Sequence, residues 1–238
     1  MTGPTSCVNI KGCMRKSSKN RLIIMAHPDD PELACGGSIA RWAKQDTVYN
    51  VIVSCGEKGT WNKNASPLLV AAKREQEAKK AARYLGVKKV IFLRHPDGEV
   101  VNMKTLKLEI AALIRKLKPY TVVTHDPWSR FFHPDHRATA QAVIEGIMIA
   151  RDWHFYPFLL EIGLQPHRPK ELLLGITEQP TYVIDISATY ERKMQAIRMH
   201  RSQLGQLPGW HKRVLSRVMK DGALAGYKFG EGFYKMHV

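Results

Sequence analysis

Seven side chains in two short runs could do chemistry in this sequence. The first run is Ala26-His27-Pro28-Asp29-Asp30-Pro31-Glu32 and the second is His133-Pro134-Asp135-His136. A catalytic zinc site takes three protein ligands from His, Asp, Glu or Cys and keeps one position for water. His27 and Asp30 are three apart on a turn, so their side chains can converge on one ion. Asp29, between them, points elsewhere. That suits it to take a proton from a metal-activated water, since a general base must lie within hydrogen-bond reach but need not ligate. His133 and His136 are again three apart, and Pro134 fits the first position of a helix. One of these two His would complete the site. If both ligated, the site would be closed and structural, and spacing leaves the choice open.

A lone His-Pro or Asp-Asp usually marks a solvated turn. Two such runs, each following an apolar stretch, argue for a shared metal site. The two-His-one-carboxylate count also describes the Fe(II) oxygenases. That chemistry has no task for Asp29, whereas hydrolysis needs a base.

The elements that must position these residues follow from the apolar pattern. Residues 21–26 form a short strand that leads into the first run. Helical spacing follows from Glu32 to about Lys44, then a β-branched strand from Val48 to Cys55, broken by Gly56-Glu57-Lys58-Gly59. After a loop over 60–68, Leu69 to Leu85 reads as a helix stopped by Gly86. Lys89 to Leu93 is a third strand, Lys104 to Lys118 a helix, and Tyr120 to Thr124 a fourth strand. The second run then opens a helix that reaches about Arg151. Strands alternating with helices predict βαβ units on a parallel sheet. The expected fold is a Rossmann-like three-layer α/β domain with a mostly parallel sheet, its site at the carboxyl ends of the strands. Beyond Arg151 the pattern loosens. Apolar runs at Glu171–Thr177 and Tyr182–Ile186 precede a helix from Ala188 to about Gln203, and the last thirty residues read as Gly-rich and basic. Residues 1–20 read as a flexible basic tail and 21–238 as a single domain.

The 238 residues carry 37 Lys and Arg against 21 Asp and Glu, a net charge of +16. Such a field attracts anions, from phosphorylated or carboxylated small molecules to nucleic acid or acidic membranes. No aromatic-basic interleaving of an RNA-binding type is visible, so nucleic acid is not an expected partner. No apolar run approaches the ~20 residues of a membrane helix. Cys7, Cys13, Cys35 and Cys55 form no CxxC pair, which excludes a disulfide framework and makes a reducing cytoplasm the expected location.

At its two runs the chain resembles the LmbE-like (PIG-L) zinc N-deacetylases, the family of the N-acetylglucosaminyl-phosphatidylinositol de-N-acetylase. The resemblance spans about residues 21–236. It includes Cys55-Gly56-Glu57-Lys58-Gly59, Lys73-Arg74-Glu75 opening a helix that ends Leu85-Gly86-Val87, Pro96-Asp97-Gly98, His200-Arg201-Ser202-Gln203 and Gly230-Glu231-Gly232-Phe233. Asp126-Pro127-Trp128 is similar to the chitobiose-type members. The resemblance implies that His27, Asp30 and His136 bind Zn2+, with Fe2+ or another divalent metal an alternative. It implies Asp29 as general base, His133 as the group stabilising the oxyanion, and Asp135 as the partner orienting the neighbouring His. It implies Arg74, Asp97, Glu57 and His200 as substrate contacts. The activity implied is removal of an N-acetyl group from an N-acetylglucosamine-type amino sugar or its conjugate. Alternatives are an amidase on a larger acyl or thiol conjugate, or a basic nucleic-acid-binding module with an inactive site. The substrate expected is small, with an anionic form favoured if Arg74 reaches the mouth, and a homo-oligomer is compatible with the sequence. Many members have Glu directly after the Asp pair; here Pro31 intervenes, which puts the role of Glu32 in question. Trp128, Phe131 and Phe132 could form an apolar rim for a sugar face. His95, His125, His154, His167, His211 and His237 have no motif and read as solvated or structural.

Overall fold

Leu22 and Ile24 point into one apolar cluster and Ile23 and Met25 into another, all fully buried. A strand buried on both faces needs this, since successive side chains alternate sides. In the computed structural model, which describes residues 18–101, 104–130, 133–205 and 208–238, this strand is β1 (Asn20–Met25), at the heart of one seven-stranded sheet. The chain continues α1 (Asp30–Trp42), β2 (Thr47–Ser54), α2 (Pro67–Leu85), β3 (Lys89–His95), α3 (Lys104–Leu117), β4 (Thr121–His125) and α4 (Pro134–Ala150). It then forms α5 (Phe158–Glu161), β5 (Glu171–Gly175), β6 (Tyr182–Asp185), α6 (Tyr190–Ile197), α7 (Arg201–Leu204), α8 (Trp210–Ala223) and β7 (Gly230–Met236).

The strand order is β3-β2-β1-β4-β5-β7-β6. Strands β1 to β5 pair in parallel, and β7 runs antiparallel between β5 and β6. This is the expected mostly parallel three-layer α/β architecture. One face packs α3 and α4 through Leu106, Ile110, Ile114, Val143 and Ile147. The other packs α1, α2, α6 and α8 through Ile39, Ala81, Leu85, Ala196 and Val218. The chain reverses direction across the sheet between β1 and β4, and crevices for ligands form at such a switch point, at the strands' carboxyl ends. The first run follows β1, and the second follows β4.

Three differences from the sequence pattern matter. The first helix is broken at Cys35, whose φ and ψ are −145° and 28°. The helix expected over Ala188 to Gln203 is two pieces, α6 and α7, with His200 between them. The Gly-rich C-terminal stretch contains α8 and β7. Gly-Glu-Gly-Phe has no alternating apolar pattern, so β7 is dictated by pairing on both sides rather than by its own composition. Residues 1–17, with Cys7 and Cys13, and Phe131 and Phe132 lie outside the described residues.

Candidate metal centre

The turn after β1 is closed by its own side chain. The His27 N–H donates to Asp30 Oδ2 at 2.7 Å, and the Asp30 N–H returns to the His27 carbonyl at 3.3 Å. Pro31 then enters α1 in its first turn, where a missing N–H costs nothing. The second run is closed similarly. His133 is the N-cap of α4 and its Nδ1 accepts the Asp135 N–H at 3.3 Å. Pro134 again occupies the first turn.

The two turns meet across β1 and β4. His27 Nδ1 lies 3.1 Å from His136 Nε2. Asp30 Oδ2 lies 3.4 Å from His27 Nδ1 and 3.3 Å from His136 Nε2. Donors bound tetrahedrally at about 2.0–2.1 Å from an ion lie roughly 3.3–3.4 Å apart, so the triangle has the size of one face of a zinc-type site. The far nitrogen of His27 supports the same reading. Its Nε2 lies 3.1 Å from Asp97 Oδ1 and 3.2 Å from Asp135 Oδ2. A proton on Nε2 serves both carboxylates and leaves the Nδ1 lone pair facing the triangle. Charge gives an independent test. Asp29, Asp30, Asp97 and Asp135 crowd this pocket around His27, and among the described residues Arg74 is the one Lys or Arg ion-paired with any of them. Buried carboxylates need cations, and a divalent ion at the triangle supplies what is missing. The residues fit a metal.

The two outer carboxylates are themselves fixed. Asp135, fully buried, accepts the Gly98 N–H at 2.8 Å and the Val100 N–H at 3.2 Å. Asp97 accepts the Lys58 N–H at 3.0 Å, while Glu57 Oε1 accepts the Asp97 N–H at 2.7 Å. Burial opposes ionisation of Asp97. The hydrogen bond and charge of His27, the Lys58 amide and Arg74 outweigh it and hold the carboxyl down to about 2. Thus Asp97 and Glu57, expected at the substrate, brace the metal turn. The Asp135 carboxylate touches His27 of the other run, while its N–H meets His133 of its own.

Arg74 also differs in place from expectation. It is buried, with NH2 on Asp29 Oδ1 at 2.8 Å and NH1 on the Gly56 carbonyl at 2.8 Å. A Cβ at Gly56 or Gly59 would fall 2.0 or 2.3 Å from its NH1, so both glycines form the slot that receives the guanidinium. The side chain faces the candidate base and not an open mouth. His200 is likewise turned inward. Its Nε2 lies 3.0 Å from Glu32 Oε2, and both side chains are buried. The position of Glu32, displaced by Pro31, is filled by this pair.

Sequence reasoning passed over three participants. His125, at the end of β4, is 2% exposed and stacks on His136 with centroids 3.9 Å apart. Its Nε2 accepts the Ala26 N–H at 3.0 Å, tying β4 to the first turn. Burial, and then the adjacent His136, push its pKa down to about 4, so the ring is neutral near pH 7. Its place after a strand was the available signal. The other two are Lys193 and Glu231, which fill the break in α1. Glu231 accepts the Gly37 N–H at 2.9 Å and the Ser38 N–H at 2.7 Å. Lys193 Nζ donates to the Glu32 and Leu33 carbonyls at 3.0 and 2.8 Å and to Glu231 at 2.7 Å. The break exposes amides on one side and carbonyls on the other, and the ion pair satisfies both sets. Gly37 is required there, because a Cβ would lie 2.7 Å from Ile186.

Beside His125 and His136, Asp126 and Ser129 lead into a cleft of about 410 Å³ between Trp128, Glu178, Gln179 and Tyr234. Trp128 is 69% exposed at its edge.

Comparison with known proteins gives a consistent answer. The family model described as PIG-L, GlcNAc-PI de-N-acetylase, matches residues 22–147. Diacetylchitobiose deacetylase of Thermococcus kodakarensis is 33% identical over 219 residues, covering 90% of this chain and 82% of the relative. A probable N-acetyl-alpha-D-glucosaminyl L-malate deacetylase 2 of Bacillus cereus is 29% identical over 205 residues, covering 82% and 89%. The structure of N,N'-diacetylchitobiose deacetylase from Pyrococcus horikoshii, in complex with an inhibitor, superposes with a TM-score of 0.89 at 33% identity, covering 93% of this chain and 85% of that one.

Proposed function

This chain belongs to the PIG-L family of GlcNAc-PI de-N-acetylases, and from that premise we propose that it hydrolyses the N-acetyl group of an N-acetylglucosamine-type sugar or its conjugate, releasing acetate and a free amine. The observation that carries the reading is the triangle of His27 Nδ1, Asp30 Oδ2 and His136 Nε2 with Asp29 beside it. We assign His27, Asp30 and His136 as ligands of a divalent cation, with zinc first for a His/carboxylate set of this size. When bound, the cation polarises the amide carbonyl and makes water a better nucleophile near neutral pH.

The chain's own residues do the rest. Asp29 accepts the proton of the attacking water. Its carboxylate is held by Arg74, so one oxygen is fixed and the other is left for the proton. His133 accepts the Asp135 N–H through Nδ1, so its proton sits on Nε2 and can be donated to the developing oxyanion. Asp97 and Asp135 hold the His27 ring and its tautomer. His125 stays neutral and anchors Ala26. The cleft beyond Asp126 and Ser129 suits a sugar, with an aromatic face at Trp128 and hydrogen-bonding groups at Glu178 and Gln179. Because Arg74 is committed to Asp29, the substrate we favour at the metal is neutral. Among the described residues no helix is long and apolar enough to cross a membrane. The free, buried thiols of Cys35 and Cys55 support the cytoplasm as location.

The test is acetate release from N-acetylglucosamine and its β-linked dimer, with and without chelator. Activity should vanish with chelator and return with Zn2+. Asp29→Asn should keep the metal and lower kcat by roughly 10²–10⁴-fold. Near-wild-type turnover in metal-loaded Asp29→Asn would remove Asp29 as the base.

A further inference from the structure

The metal centre uses one buried cation, Arg74, and leaves most of the +16 charge without a task. Part of that charge gathers in a concave place. Lys73, Gln76, Glu77 and Lys80 recur along α2 at helical spacing and form one stripe. Opposite them stand Arg198, after α6, and Arg201, at the start of α7, and the trough between is about 420 Å³. Among the described residues, none of Lys73, Lys80, Arg198 and Arg201 makes a salt bridge or a side-chain hydrogen bond. The one acid of the trough is occupied: Glu77 accepts the Ser202 N–H at 3.0 Å and its hydroxyl at 2.6 Å.

Two details separate this trough from ordinary solvated charge. Its neutral polar members are Gln76 and Gln195, amides that take the shape of Glu without its charge. A carboxylate at either place would neutralise the cations; an amide instead adds N–H donors. The wall carrying Arg201 is also well fixed. Within His200-Arg201-Ser202-Gln203, His200 is bonded to Glu32, Ser202 to Glu77 and Gln203 to the Gly59 carbonyl at 2.9 Å. Arg201 alone of the four turns outward, into the trough.

We propose that this trough is a binding site for a small, multiply charged anion of the diphosphate or bisphosphate class. Two guanidiniums match phosphate oxygens in bidentate fashion, and two ammonium groups add point charge. A short concave trough favours a compact anion over the extended backbone of a nucleic acid, which tracks a long basic stripe. The site shares no residue with the metal triangle, and it stands whether or not the deacetylase reading does.

The experiment is calorimetric titration of inorganic pyrophosphate into the full, metal-loaded chain, with orthophosphate as comparator. The wild type should bind one pyrophosphate saturably, more tightly than orthophosphate and more weakly as salt rises. Lys80→Glu/Arg198→Glu should weaken that binding at least about tenfold, and the neutral Lys80→Gln/Arg198→Gln less so. Lys212→Glu/Lys220→Glu on α8 makes the same change in net charge and should leave binding intact. Deacetylase kcat/KM should be unchanged in all three. Equal weakening by the α8 pair would assign the effect to general surface charge and overturn the proposal. Undiminished binding in the trough variants would place pyrophosphate at the metal and overturn it too. So would displacement of pyrophosphate by a duplex oligonucleotide that binds through the same four residues.

Discussion

The two turns of the candidate metal centre look alike in sequence and are held in different ways. The backbone of the turn before α4 is set locally, while its Asp135 carboxylate is held by the Gly98 and Val100 amides. His133 caps its own helix, Pro134 sets the first turn, and α4 runs on with helical backbone to Ala150. The turn before α1 is held from a distance. Ala26 is bound by His125, Asp29 by Arg74, Glu32 by His200, and the break at Cys35 by Lys193 and Glu231. These five partners come from β4, α2, α6, the α6–α7 junction and β7. A straight helix presents its first residues along one axis. The broken α1 frees the segment from Asp30 to Ala34 to take its own direction, and the buried pair fixes which direction. The turn proposed to carry two of the three ligands and the base is therefore the one with more of its geometry set by distant partners.

The largest effect should come from breaking the triangle from the locally capped side. His136→Ala should lower metal affinity by more than the 10–100-fold typical of an outer partner. His133→Asn, which retains an acceptor for the α4 cap, should keep the metal and lower kcat by about 10²–10³-fold. Metal content after gel filtration, with kcat on reloaded protein, separates the two. Equal metal loss in both would mean that the second turn contributes two ligands.

Next is the device that holds the first turn. Glu231→Leu leaves the Lys193 ammonium buried without its carboxylate and should cost about 3–5 kcal/mol, read from chemical denaturation. The double variant Lys193→Met/Glu231→Leu should recover only part of that stability, since it removes the unpaired ammonium but leaves the Gly37 and Ser38 amides and the Glu32 and Leu33 carbonyls without partners. Metal affinity should remain low in the double variant, because Gly37, Ser38, Glu32 and Leu33 lose the groups that set the break. Recovery of both together would reduce the ion pair to packing.

The smallest effect should be at the local turn. Pro134→Ala removes a constraint on the unfolded chain and should cost about 0.4–1 kcal/mol, with metal affinity unchanged. A loss of metal there comparable to that of the double variant would erase the contrast between the turns.

What the sequence made legible follows the same division. Local spacing located both turns, and the resemblance separated His136 from His133. The parallel βαβ half of the sheet was readable from apolar runs because β1, β2 and β4 are buried on both faces. The remainder depends on distant partners. Lys193 has no motif around it, and Glu231 stood out only within the Gly230-Glu231-Gly232-Phe233 resemblance, because their partners lie far off in the chain. His125 carries no motif because its partner is a backbone amide 99 residues earlier. Arg74 was legible as a site residue, but its partner was not. β7 has too little apolar alternation to be called a strand before its neighbours are known.

The bond from Glu231 to the Gly37 amide spans 194 residues. Both His-Pro-Asp turns are synthesised well before Glu231, and β7 must slot between two strands already made. A nascent chain that ends before residue 230 therefore holds every proposed ligand in sequence while α1 lacks the group that sets its break. Contacts of such long separation form late and slowly. The ability to capture metal should thus arise as one of the last steps of folding, when β7 docks.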